Sequence, residues 1–212
     1  MFGVSVFLVF NGMIALGCRV SKARAQHTDG FVSVNVPPVG SVMGGMIRYN
    51  LRMEPGALGP DMFPPQAAEG DARSAVGPAL LPGVCRMSFS SRSSSGVNPA
   101  VFDALARIGV KGLVIEGYGI GSIPFLKRNH LPGVKGLLDR DVAVAITIQS
   151  LFDGTDLSLY KVGKECLTMG AIEGRDTTVG VLVVKLMWAL SPAGPLTWTR
   201  CGRSWRRISR GR

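Results

Sequence analysis

The chain has 212 residues and a mass of 22.5 kDa, room for one ordinary domain or two small ones and too little for a large multidomain machine. An apolar fraction of 46% is that of a globular protein, and 28 glycines with 13 prolines against 18% charged residues predict a core wrapped in many turns. Six of the ten net positive charges are arginines of Ser191–Arg212, a stretch with no acid, so the body lacks the basic stripe of a nucleic-acid-reading surface.

The first ten residues are strongly apolar, but no positive n-region precedes them, and Asn11-Gly12 interrupts the run long before the ~20 residues a membrane span needs. Asn-Gly suits a type I′ turn, so Val4–Phe10 and Met13–Val20 are predicted as two antiparallel strands. Phe31–Val36 alternates apolar and polar before Pro37-Pro38 stops it, which predicts a third strand. Residues 1–54 are therefore β-rich.

Residues 55–95 differ in kind. Pro55, Gly56, Gly59, Pro60, Pro64 and Pro65 crowd the start, a serine-rich run over Ser88–Ser95 closes it, and no period survives more than a few residues. An irregular linker is the expectation.

From Gly96 to Leu190 the pattern sharpens. Asn98 caps and Pro99 opens a helix carrying Val101, Leu105 and Ile108 on one face, and Gly109 ends it. Gly112–Glu116 is a short buried strand followed by the loop Gly117–Ser122. A helix lies within Phe125–Leu138. Val142–Thr147 is a second continuous apolar strand, and strands buried on both faces suit a parallel sheet. The polar loop Gln149–Asp156 leads to a helix over Leu157–Met169 closed by Gly170. Asp176 or Thr177 caps a last helix, Thr178–Leu190. The fold class is α/β, a small parallel sheet whose strand-end loops are the natural place for ligand contacts.

Chemistry is sparse. Four cysteines (Cys18, Cys85, Cys166, Cys201) form no CxxC pair, and His27 and His130 lie far apart, so neither a zinc cage nor a disulfide framework is indicated. A reduced, cytoplasmic protein is the simplest expectation. In the glycine loop after Glu116, Ser122 stands where a dinucleotide fingerprint needs its third glycine, and Pro124 occupies the place of the binding helix. No nucleophilic triad can be assembled. Asp153, Asp156, Glu173 and Asp176 are loop carboxylates, a type that usually serves as a solvated turn or cap group.

Several ordered blocks nevertheless carry a resemblance: Gly109–Pro124, Asp156–Gly163, Gly170–Thr178 and Lys185–Trp188, with Val9–Gly12, Arg19, Lys22 and Asp29–Asn35 before them. The later blocks resemble the C-terminal domain of the bacterial-type L-asparaginase/glutaminase family, and the earlier ones the end of its N-terminal domain. The resemblance implies that residues 1–54 are the incomplete remnant of a larger α/β domain and that 96–190 are the C-terminal domain, with 191–212 a basic tail. It further implies an amidohydrolase converting L-asparagine to L-aspartate and ammonia through a threonine nucleophile. Neither metal nor organic cofactor is implied, and the expected partners are a small amino-acid amide, asparagine or glutamine, and a second copy of the chain.

The family's Thr-Gly-Gly-Thr and Gly-Thr-Asp-Thr type segments do not occur in the 212 residues, so no catalytic nucleophile is assigned. By motif position the resemblance places Ser122, where many members have asparagine, and Asp156 on the substrate-binding side of the pocket. There Asp156 would orient the substrate ammonium. Asp156 reads equally well as a helix-start residue.

The family carries an acidic helix where this chain has its arginine-rich tail. Residues 195–211 and 84–94 can each be back-translated so that a shifted frame restores a family-like segment, so frame slips over both are expected. The sheet would then lack the strand preceding Gly96 and expose apolar edges. A non-catalytic module retaining the C-terminal fold is the alternative reading.

Overall fold

A computed structural model describes residues 6–50, 88–94 and 96–191. They divide into two compact units, one holding residues 6–50 and the other the remainder. The basic tail, Cys85, Cys201 and most of the 55–95 stretch lie outside the described residues.

In the first unit, β1 (Phe7–Phe10) and β2 (Met13–Leu16) pair antiparallel with Phe10 opposite Met13. Asn11 and Gly12 take φ of 46° and 75°, the double positive φ that a two-residue type I′ turn requires. The second strand stops at Leu16, short of Val20, because Gly17–Arg19 form a single 3-10 turn. Then β3 (Val20–Lys22) pairs antiparallel with β4 (Phe31–Ser33) as a separate ribbon. The alternation through Val36 does not persist as strand, since Asn35 adopts φ 60° and buried Val34 donates its N–H to Arg19 O. A second hairpin, β5 (Gly40–Met43) and β6 (Met46–Tyr49), completes a sheet of order β1-β2-β5-β6. Its small core is Ile14, Leu16 and Val39, backed by Phe7, Val36 and Val42.

The second unit is the expected parallel sheet, with four strands. Following β7 (Ser88–Arg92) come α1 (Ala100–Arg107), β8 (Gly112–Gly117), α2 (Leu131–Leu138) and β9 (Ala143–Ile148). Next are α3 (Lys161–Met169), the two-residue β10 (Ile172–Glu173) and α4 (Val179–Ala189). Strand order is β10-β9-β8-β7, every pairing parallel.

The apolar runs are buried on both faces. Leu113, Ile115, Val144 and Ile146 point into a core with Phe102 and Leu105 of α1, Val134 and Leu137 of α2, and Val162 and Cys166 of α3. Val114, Ala143 and Ala145 face the other way onto Leu182, Leu186 and Ala189 of α4. Burying a Leu, Ile or Val side chain is worth roughly 1.5–3 kcal/mol, so this double cover is the main stabilising element of the unit.

Several local expectations need correction. The irregular stretch expected over 55–95 does not extend across Ser88–Arg92, which form β7 in unbroken parallel register with Gly112–Glu116. The sheet therefore has the strand preceding Gly96 that the frame-slip reading removed. Helix α3 starts at Lys161, later than the expected Leu157, while α2 falls within the expected Phe125–Leu138. For α4, neither Asp176 nor Thr177 is the cap: extended Thr178 occupies that position and makes no side-chain cap bond. Asn98 does what its sequence position predicts, its Oδ1 accepting the Ala100 N–H at 3.0 Å.

Candidate functional site

In a parallel sheet all carboxyl ends point the same way, so the loops after β7, β8, β9 and β10 gather along one edge. The first three of these strand ends are laced together by hydrogen bonds. Ser93 donates its N–H to Glu116 O at 2.9 Å, and Gln149 N–H reaches Gly117 O at 3.2 Å. The Gln149 side chain spans the gap, with Nε2 donating to Ser93 O at 2.7 Å and to Glu116 O at 3.1 Å. Arg92 Nε meets Glu116 Oε2 at 3.2 Å across the same strand ends.

Ser122 sits half-buried at the end of the β8 loop. Its carbonyl accepts the Tyr118 N–H at 2.7 Å, and its own N–H returns to Tyr118 O at 2.8 Å, closing a tight turn. Gly121 within it has φ 114°, and a Cβ there would fall 2.8 Å from Leu157 Cδ2 and 3.1 Å from Thr155 Cγ2. Only glycine permits both the backbone angle and this approach of the β8 loop to the 155–157 segment.

Asp156 lies in that segment, exposed. Its Oδ1 accepts the Ser158 hydroxyl at 2.6 Å and the Ser158 N–H at 3.0 Å, an Asx-type turn that delays the start of α3. The Ser158 hydroxyl, then its N–H, holds the carboxyl below its ordinary value by stabilising the charged form. The Asp156 N–H donates to Ile120 O at 3.1 Å, so the structure joins the loop of Asp156 to the loop of Ser122 directly. Exposed Tyr118, Phe125, Leu126, Leu151, Phe152, Leu159 and Tyr160 belong to these same two loops.

Sequence reasoning passed over two groups here. Gln149 carries no motif signal, and only the register of β7, β8 and β9 reveals its bridging amide. Glu173, grouped with solvated turn carboxylates, is instead largely buried: Oε1 accepts the Leu157 N–H at 2.7 Å and Oε2 lies 3.5 Å from Arg175 Nε. His130 is buried against Phe102 in edge-to-face contact, with Nε2 3.3 Å from Val97 O, and lies in the core. Cys166 is buried too, and desolvation pushes its thiol up to about 11, which removes it as a nucleophile. Among the described residues no three His, Cys, Asp or Glu side chains converge as a metal site, and no helix is long and apolar enough to cross a membrane.

Comparison with known proteins matches both parts of the chain. The Glutaminase/Asparaginase C-terminal domain family profile covers residues 91–194, and the Asparaginase N-terminal profile covers residues 3–55. The L-asparaginase of Thermococcus kodakarensis is 34% identical over 187 residues, 87% of this chain and 50% of that protein. A glutamyl-tRNA(Gln) amidotransferase subunit from Pyrobaculum aerophilum is 30% identical over 82% of this chain and 37% of its own length. The solved thermostable L-asparaginase from Thermococcus kodakarensis superposes with a TM-score of 0.74 at 31% identity, covering 96% of this chain and 54% of that one. L-asparaginase I from Vibrio cholerae shares the fold with a TM-score of 0.74 at 21% identity, over 94% of this chain and 54% of its own. The chain thus spans about half the length of the relatives it matches, or less.

Proposed function

Because the chain belongs to the glutaminase/asparaginase family, we propose that its C-terminal unit supplies the substrate-positioning side of an amidohydrolase pocket, in which L-asparagine and water yield L-aspartate and ammonia. One observation carries the reading. Asp156 is exposed, has its Oδ1 fixed by two donors of Ser158, and stands on a segment bonded to the loop of Ser122. A carboxylate so fixed suits the α-ammonium of an amino-acid amide, with Ser122 of the neighbouring loop as the second polar residue of the site.

The bond-breaking step needs a hydroxyl that attacks the side-chain amide carbon, expels ammonia and is freed by water. The 212 residues hold neither threonine segment of the family, so that hydroxyl comes from outside them, and these residues alone are catalytically incomplete. The exposed aromatic and aliphatic side chains around the two loops suit closure against a second copy or an intact relative. No cofactor is called for. Free Cys18 and Cys166 fit a reducing, cytoplasmic setting. Similarity to the tRNA-dependent amidotransferase keeps glutamine as the second candidate amide.

Ammonia release from L-asparagine and L-glutamine by the purified chain, free of homologues, is the direct test. We expect background release, with L-asparagine shifting the Asp156 and Ser158 amide resonances. Turnover by the chain alone would overturn the missing hydroxyl, and silence of those resonances would overturn the substrate side. Since both threonine segments are absent from the sequence, a non-catalytic module with this fold is the second reading. Co-purification with an intact homologue and no amide-ligand response would favour it.

A further inference from the structure

Three consecutive backbone N–H groups of the Asp156 segment are each claimed by a different partner. Thr155 donates to Arg175 O at 3.0 Å, Asp156 to Ile120 O at 3.1 Å, and Leu157 to Glu173 Oε1 at 2.7 Å. Two of the three partners lie at the end of β10 and in the short turn after it. Arg175 closes the loop a second time, its own N–H donating to Thr155 Oγ1 at 2.5 Å.

Arg175 does this at φ 52°, a left-handed conformation that costs a side-chain-bearing residue energy and persists only where surrounding bonds over-determine it. Its paired bonds with Thr155 and the contact of its Nε with Glu173 Oε2 at 3.5 Å are those bonds. Glu173 is thereby held between a guanidinium and a backbone amide, its side chain 19% exposed. Its charge serves the loop rather than a helix cap.

We propose that Glu173 is the positioning residue of the candidate site. Its carboxylate, braced by Arg175, holds the Leu157 amide and so fixes the exposed carboxylate of Asp156 beside the Ser122 loop. Strand β10 is two residues long and adds little sheet; it places Glu173 where the Asp156 segment passes. The inference deepens the substrate-positioning reading and rests on it only for the identity of the ligand, since the clamp is defined by bonds within the chain.

The test compares Glu173→Ala and Glu173→Gln in the full chain. Glutamine keeps a carbonyl oxygen in place of Oε1, whereas alanine leaves the Leu157 N–H without its acceptor. Amide hydrogen exchange of Leu157 and Ser158 is read by NMR, with L-asparagine titrated as the probe. Losing a bond of this kind should speed exchange at Leu157 by about tenfold or more and weaken L-asparagine binding comparably in Glu173→Ala. Core amides of β8 and β9 should stay protected, and Glu173→Gln should stay near wild type on both readouts. Wild-type exchange at Leu157 and Ser158 in Glu173→Ala, or loss in the glutamine variant equal to that in alanine, would overturn the proposal. If wild-type chain ignores L-asparagine while exchange follows the expected pattern, the clamp stands and the substrate reading falls.

Discussion

In the C-terminal unit each central strand has a cover on both faces: three helices pack on Leu113, Ile115, Val144 and Ile146, and α4 packs on Val114, Ala143 and Ala145. The N-terminal sheet has no such symmetry. Only β2 is well buried, while on the outer hairpin Met43, Met46, Ile47 and Tyr49 are each more than half exposed, and Val9 of β1 is as open. The contrast shows where the physical integrity of the chain resides. The parallel unit covers both faces of its central strands and leaves apolar side chains open chiefly in its loops, whereas the antiparallel one leaves them open on its strands, the kind of surface that marks an interaction or aggregation site.

The comparison breaks if the two kinds of apolar residue cost the same to remove. Leu182 of α4 is fully buried between the helix and the sheet, so Leu182→Ala should lose roughly 2–5 kcal/mol, the transfer term plus a cavity. Ile47 lies on an exposed edge strand, and Ile47→Ser should change stability by no more than about 0.5 kcal/mol and raise solubility. Chemical denaturation followed by circular dichroism, with light scattering for the second variant, measures both. Equal destabilisation would show that the N-terminal sheet is covered in solution.

The two described thiols sharpen the same contrast. Cys18 of the N-terminal unit is exposed, and Cys166 of α3 is buried with its thiol pushed up to about 11. Because burial disfavours the thiolate, the contribution of Cys166 to stability is present at neutral pH. It is lost progressively as pH rises from the ordinary thiol value of about 8.5, where the unfolded chain ionises first, through the folded value of about 11. Peptide mapping after iodoacetamide at neutral pH should find Cys18 alkylated and Cys166 intact, with Cys166 labelled only in denaturant. Comparable labelling of both in the native chain would mean that α3 opens readily.

Legibility follows the same division. Strands β8 and β9 announce themselves, since residues buried on both faces must be apolar throughout, and Asn11-Gly12 announces its hairpin because few dipeptides tolerate two positive φ values. Strand β7 does not: Ser-Phe-Ser-Ser-Arg has little strand propensity and is held as a strand by its backbone ladder to β8, which only the folded neighbour supplies. The second hairpin escapes the sequence for another reason. Its turn residues Gly44 and Gly45 are visible, but exposed Met46–Tyr49 lacks the burial that gives strands their alternation. At the candidate site, the family-like blocks point to Ser122 and Asp156. Gln149, which laces the ends of β7 and β8, and Glu173, which holds the Leu157 amide beside Asp156, act through bonds to distant backbone, and such bonds leave no period or spacing in the sequence.

The smallest expected effect lies at Asp156 itself, where the C-terminal unit must expose a charge rather than bury one. Ser158 supplies both donors to Oδ1, and its hydroxyl is the larger cause of the lowered titration. A carboxyl with a folded value below its unfolded one keeps its turn while ionised and loses it as pH falls through the folded midpoint. Ser158→Ala removes the hydroxyl donor and leaves the backbone N–H. The Asp156 midpoint, followed by carbon-detected NMR titration, should then climb toward the ordinary value of about 3.9 without reaching it. Thermal stability at neutral pH should hardly change, because the group is exposed and solvent screens it. An unchanged midpoint would mean that the turn is not formed in solution. Asp156 would then be an ordinary solvated carboxylate, and the preorganised charge at the sheet's edge would be lost as an argument for ammonium recognition.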